Sequence, residues 1–108
     1  SWADAHDVRR PIVPDDCEQA YHMYYLLLPS EPVRARLVAH LKARGILAVF
    51  HYLPLHSSRM GVKLGGRPGD CPVAEDVSDR LLRLPLYVGL DDREQDEVIE
   101  ALQEFAGW

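Results

Sequence analysis

The stretch from Ser30 to Gly45 constrains the fold of this chain more than any other. Ser30 can accept from the free N–H groups of a first helical turn, Glu31 suits the positive end of a helix dipole, and Pro32 is tolerated in the first turn. Val33, Leu37, Val38 and Leu41 then fall on one helical face, and Gly45 supplies a left-handed stop. The pattern predicts a helix over 31–44 whose apolar stripe must be buried against a second layer. Apolar runs flank it on both sides. His22 to Leu28 is rich in aromatic and aliphatic residues and stops at Pro29, which predicts a strand. Ile46 to Phe50, between Gly45 and a proline-bearing loop, reads as a buried strand.

The remaining segments are shorter. Residues 1–20 contain Arg10-Pro11 and Val13-Pro14, and each proline biases its predecessor away from helix, so this segment reads as an extended lead-in. From Pro54 to Pro72 the chain carries Pro68, Gly61, Gly65, Gly66 and Gly69 with little periodicity, the composition of a long loop over 54–72. Val73, Val77 and Leu81 predict a helix over 73–82. Leu84-Pro85-Leu86-Tyr87 predicts a short strand at a sheet edge, because Pro85 cannot donate to a ladder. Asp91 and Glu94 form a capping-box pair ahead of a last helix striped by Val98, Leu102 and Phe105 and ended by Gly107. The expected fold class is α+β, a small, mainly antiparallel sheet with helices packed on one face. At 108 residues there is room for one domain, placed over 21–108.

Composition narrows the function classes. The net charge of −5 argues against a nucleic-acid partner, and its distribution is uneven. Residues 1–69 carry +3, whereas residues 70–108 carry −8. The longest apolar run, Met23 to Leu28, is far shorter than the roughly 18 residues of a membrane span, so no membrane partner is expected. The start, Ser1-Trp2-Ala3-Asp4, lacks a signal-peptide layout, and Cys17 and Cys71 are too few for a disulfide scaffold. A cytoplasmic setting follows as the expectation. Only two of the twelve basic residues are lysines, Lys42 and Lys63.

The densest polar cluster is Phe50-His51-Tyr52-Leu53-Pro54-Leu55-His56, where a strand leaves the sheet. Two imidazoles and a phenol supply donors and acceptors near neutral pH; they read either as binding groups or as solvated loop-edge side chains. The spacing of the histidines does not suit a metal on one helix, and no metal is expected. Ser57 and Ser58 lack a nucleophile elbow, and neither cysteine has a basic neighbour to activate it. Gly61-Val62-Lys63-Leu64-Gly65-Gly66-Arg67 departs from the phosphate-loop spacing, leaving a weakly basic lid or a flexible surface loop. Arg80 and Arg83 could meet an acidic partner or a phosphate, or pair with Glu75, Asp76 or Asp79. On these residues alone, a free-standing small-molecule binding module and a hydrolase using His51 and His56 as acid and base both stay open.

Several stretches, read in order, resemble the C-terminal domain of the DegT/DnrJ/EryC1/StrS sugar aminotransferases. They are Tyr21-His22-Met23-Tyr24-Tyr25, then Gly45 through His56 with its HYxPLH segment, then Ser78 through Tyr87 with RLxRLPL, and the closing helix around Val98-Ile99. The resemblance covers roughly residues 11–106.

The resemblance implies the small C-terminal domain of a fold-type-I enzyme that uses pyridoxal phosphate. Its lead-in, residues 1–20, would continue from a larger domain that carries the cofactor and its lysine. The implied reaction transfers an amino group, with glutamate as the expected donor, to a nucleotide-linked 4-keto-6-deoxy sugar. The implied sugar-nucleotide-binding residues are His51, Tyr52 and His56, with His22 as a structural or pocket-edge residue. No catalytic or cofactor-binding residue is implied in this chain. The resemblance further implies that this piece is inactive alone, binds no cofactor by itself and could be monomeric, and that the full enzyme is a homodimer.

Overall fold

The computed structural model describes residues 1–108. In chain order its elements are α1 (Trp2–Ala5), β1 (Tyr24–Leu27), α2 (Glu31–Ala43), β2 (Val49–Phe50), a 3-10 turn (Leu55–Ser57), α3 (Arg59–Lys63), α4 (Pro72–Arg80), β3 (Leu81–Leu84) and α5 (Asp92–Gln103). The three strands form one antiparallel sheet in the order β1-β3-β2. Leu26 pairs with Leu82, and Phe50 pairs with Leu82 from the other side. The small antiparallel sheet and its helices are the α+β architecture expected from the sequence.

α2 forms as its termini dictate. Ser30 Oγ accepts the Val33 N–H at the start. At the end, Gly45 at φ +75° lets the Gly45 N–H reach the Lys42 carbonyl and the Ile46 N–H reach the Leu41 carbonyl, a Schellman closure. Val33, Leu37 and Leu41 are buried on one face. They meet Leu26 and Leu82 from the sheet, Leu28 just after β1, and Ala101, Leu102 and Phe105 from the C-terminal region in a single core cluster. Leu28, Leu37, Leu41 and Leu82 are fully enclosed, each contributing roughly 1.5–3 kcal/mol relative to exposure. The capping box at α5 is realised, with the Glu94 N–H on Asp91 Oδ1 at 2.8 Å and the Asp91 N–H on Glu94 Oε2 at 3.2 Å.

Several expectations need correction. The lead-in is not extended throughout, because Ser1 and Asp4 form a capping box that starts α1. Ala3 and Val8 join the core, and Arg9 bridges Leu27 on the free edge of β1. β2 is short and exposed rather than buried: Phe50 is 60% and Val49 37% accessible. It is a sheet edge paired only to β3, so one side of its ladder is open. β3 precedes Pro85 and lies at the centre of the sheet, not at an edge. α4 ends at Arg80, and Leu81, already extended, and Leu82 pair with Leu27 and Leu26 of β1 instead of continuing the helix. The 54–72 segment is not all loop, since it holds the 3-10 turn and α3, capped by Ser58 Oγ on the Gly61 N–H at 3.0 Å. α5 ends at Gln103, before Gly107, whose carbonyl instead accepts from the Arg36 guanidinium.

Candidate functional site

The rim expected to bind a ligand begins where β2 ends. β2 is tied to β3 through Val49–Arg83 and Phe50–Leu82, which fixes the origin of the following segment. His51 and Tyr52 then leave the sheet with their rings edge to face, centroids 5.0 Å apart. His51 is half-buried and its Nδ1 is shielded from solvent without a hydrogen-bond partner, whereas Tyr52 is 78% exposed. The Tyr52 carbonyl accepts from Ser78 Oγ at 3.3 Å, which ties the rim to the last turn of α4.

α4 is itself held in place by two arginines. Arg34 on α2 donates to the Ser78 carbonyl at 2.9 Å, and Arg80 donates to the Leu28 carbonyl at 3.0 Å. Arg80 also pairs with Asp76, one of the acidic partners its sequence neighbourhood offered. Arg83 lies apart from it, in the middle of β3.

The 3-10 turn places His56 against α4. Its Nε2 lies 2.6 Å from Glu75 Oε1, and the same oxygen accepts the Gly69 N–H at 2.6 Å. The His56 hydrogen bond and then the Gly69 N–H hold the Glu75 carboxyl below the usual glutamate range. The turn between them is closely packed. A Cβ on Gly66 would stand 2.3 Å from the His56 carbonyl oxygen, and one on Gly61 2.0 Å from that of Leu55. The glycines first read as a lid or a flexible loop thus have a steric purpose, bringing backbone against backbone beneath His56.

Of the residues singled out in the sequence, His51 and Tyr52 are brought into contact, and His56, further along the same connection, is anchored instead to Glu75. His22 is exposed, just before β1, and its ring has no hydrogen bond within the chain. Three surface hollows are lined by other residues. One, of about 630 Å³, lies between the lead-in, the end of β3 and α5, with Trp2, Met23, Leu86 and Val98 on its walls. The rim thus sets the exposed Tyr52 ring beside the half-buried His51, with His56 partly buried against α4. Sequence reasoning missed Glu75 as a partner of His56 and took it only as a neighbour for the arginines. A separation of 19 residues leaves no local pattern to find.

The chain matches the profile of the DegT/DnrJ/EryC1/StrS aminotransferase family across residues 2–103. It belongs to that family. Among curated relatives it is similar to the "Pleiotropic regulatory protein" of Geobacillus stearothermophilus, 33% identical over 95 residues, covering 87% of this chain and 26% of the relative. It is also similar to the dTDP-4-dehydro-2,3,6-trideoxy-D-glucose 4-aminotransferase of Saccharopolyspora spinosa, 33% identical over 96 residues, covering 87% of this chain and 23% of the relative. Among solved structures it superposes on S. venezuelae DesV in complex with a ketimine intermediate. The TM-score is 0.81 at 28% identity, over 90% of this chain and 26% of that one. The chain thus spans about a quarter of the length of the proteins it matches. No helix is long and apolar enough to cross a membrane.

Proposed function

We propose that this chain forms the C-terminal, substrate-side domain of a pyridoxal-phosphate-dependent aminotransferase acting on a nucleotide-linked sugar. The observation that carries the reading is the family match across residues 2–103. The amino acceptor is a dTDP-linked 4-keto-6-deoxy sugar, with dTDP-4-keto-6-deoxyglucose the specific candidate, and the donor is glutamate. His51, Tyr52 and His56 supply directed donors and acceptors for sugar hydroxyls or the diphosphate, with His22 at the edge of the pocket. The full enzyme works as a cytoplasmic homodimer.

The residues present do not fit a cofactor site. A pyridoxal Schiff base needs a lysine amine, and both lysines are exposed: Lys42 near the end of α2 and Lys63 at the end of α3. Neither lines any of the three hollows described above. The cofactor's chemistry therefore belongs to the rest of a longer protein, and this chain's share is binding and orientation. Much apolar surface also remains open near the rim, with Leu53 67% and Leu55 84% accessible. Surface of that kind suits burial against further protein.

Titration of the isotopically labelled chain with dTDP-glucose tests the site. Chemical-shift changes centred on His51, Tyr52 and His56 support it, and changes confined to other residues overturn it. Mixing the chain with pyridoxal phosphate tests the division of labour. No saturable visible band is expected, and a band lost on Lys42→Ala or Lys63→Ala overturns that part of the reading.

A further inference from the structure

The imidazole of His56 is engaged on one nitrogen only. Nε2 meets Glu75 Oε1 at 2.6 Å. Nδ1 has no hydrogen bond within the chain and is not among the side-chain atoms fully buried without a partner, so it keeps some accessible surface on a side chain that is 14% exposed overall. The arrangement is rigid on both sides of the contact. Glu75 lies in the first turn of α4, and its bonding oxygen is steadied by the Gly69 N–H. The His56 backbone is fixed from below by the close approach of Gly61 and Gly66. An ionised carboxylate only accepts, so the proton of the neutral imidazole must sit on Nε2 and the lone pair on Nδ1.

We propose that Glu75 is a positioning residue that holds neutral His56 as the Nε2–H tautomer, so that the unbonded Nδ1 accepts a hydrogen bond from a ligand hydroxyl. The inference rests on the reading of the 51–56 rim as a sugar-nucleotide site and adds what His56 selects there. A lone pair repels a phosphate oxygen and welcomes an O–H, so His56 reads the sugar end of the ligand rather than its diphosphate. The partition resembles that of metal-binding histidines, whose second nitrogen is set by a carboxylate.

Long-range proton–nitrogen correlation on the labelled chain, at about pH 8.5 where an ordinary imidazole is neutral, reads the tautomer directly. In the unsubstituted chain, Nε2 is expected at a protonated position with its proton in slow exchange, and Nδ1 at a lone-pair position. An Nδ1–H ring overturns the proposal. In Glu75→Gln both nitrogens should move toward the averaged positions of a ring exchanging between tautomers, because an amide can donate as well as accept. Unchanged nitrogens in a folded Glu75→Gln chain overturn it, and Glu75→Asp serves as the carboxylate-retaining comparison if the glutamine variant does not fold.

Titration with dTDP-glucose should then shift His56 Nδ1 away from its lone-pair position, while thymidine diphosphate and inorganic phosphate should not. Equal shifts with all three probes overturn hydroxyl selection. Shifts at the His51 and Tyr52 amides with Nδ1 unmoved defeat this inference and leave the site reading standing. No shift at any of these positions defeats the site reading, and hydroxyl selection with it, leaving the tautomer measurement as a separate result.

Discussion

Gly66 lies so close beneath His56 that a Cβ there would stand 2.3 Å from the His56 carbonyl oxygen. The obstacle is backbone, which cannot swing aside as a flexible side chain would. Gly66→Ala should therefore push the 3-10 turn away from α3, at a cost of about 1–3 kcal/mol typical of overpacking. Urea unfolding measures the loss, and the His56 ring signals should report its displacement. Met60→Ala on the same short helix is the control, since Met60 is 62% exposed and its truncation should change stability by less than about 0.5 kcal/mol. Equal effects of the two substitutions would count against the close approach.

The acid behaviour of the His56–Glu75 contact has a definite sign. The Glu75 carboxyl is held below its ordinary range in the folded chain, first by the His56 hydrogen bond and then by the Gly69 N–H. The ionised group thus favours the folded state above the ordinary glutamate pKa of about 4.3, and that contribution is lost as pH falls through the lowered folded value. Unfolding midpoints of the unsubstituted chain and Glu75→Gln should stand apart at about pH 5 and converge as pH falls through the lowered folded value. A gap that stays constant or widens on acidification contradicts the assignment.

The core is small, so its central leucines matter. Leu82 is fully buried in the middle strand, between Leu26 and Phe50 in the register. Leu82→Ala should cost about 2–5 kcal/mol, whereas Leu47→Ala, at a residue 76% exposed, should fall within about 0.5 kcal/mol of the parent. Thermal or urea unfolding decides between them, and similar values would place the core elsewhere.

The helix cap at Asp91 offers a local test. Its Oδ1 accepts the Glu94 N–H while Glu94 reaches back to the Asp91 N–H. Asp91→Ala should lose about 1 kcal/mol, and Asp91→Ser should recover most of it. Amide exchange in the first turn of α5 is the sharper readout, since removing the cap frees those N–H groups.

Tyr52 separates stability from binding. Its ring is exposed and rests edge-on against His51, so Tyr52→Phe should leave the unfolding midpoint within about 0.5 kcal/mol of the parent. If its hydroxyl meets the sugar nucleotide, the same substitution should weaken dTDP-glucose binding in the titration described above. Full retention of binding would remove the hydroxyl from the site.

Where the amino-acid sequence alone sufficed, the determinants were local. The Ser30 cap, the apolar stripe of α2 and the Gly45 closure lie within one helix and its next residues, and all three formed as read. Asp91 and Glu94 are three residues apart and did the same for α5. The family, too, was legible in ordered segments such as HYxPLH and RLxRLPL, which place His51, Tyr52 and His56 on one connection. Tertiary structure decided what depends on distant pairing. Leu81 and Leu82 continue a helical apolar pattern, yet burial between β1 and β2 rewards the strand more than another half-turn of helix would. Ile46 to Phe50 has the composition of a buried strand, but only two of its residues pair, at an edge left open in this chain. Glu75 finds His56 across 19 residues because the glycine turn folds α4 back onto the rim, a contact that no spacing rule encodes.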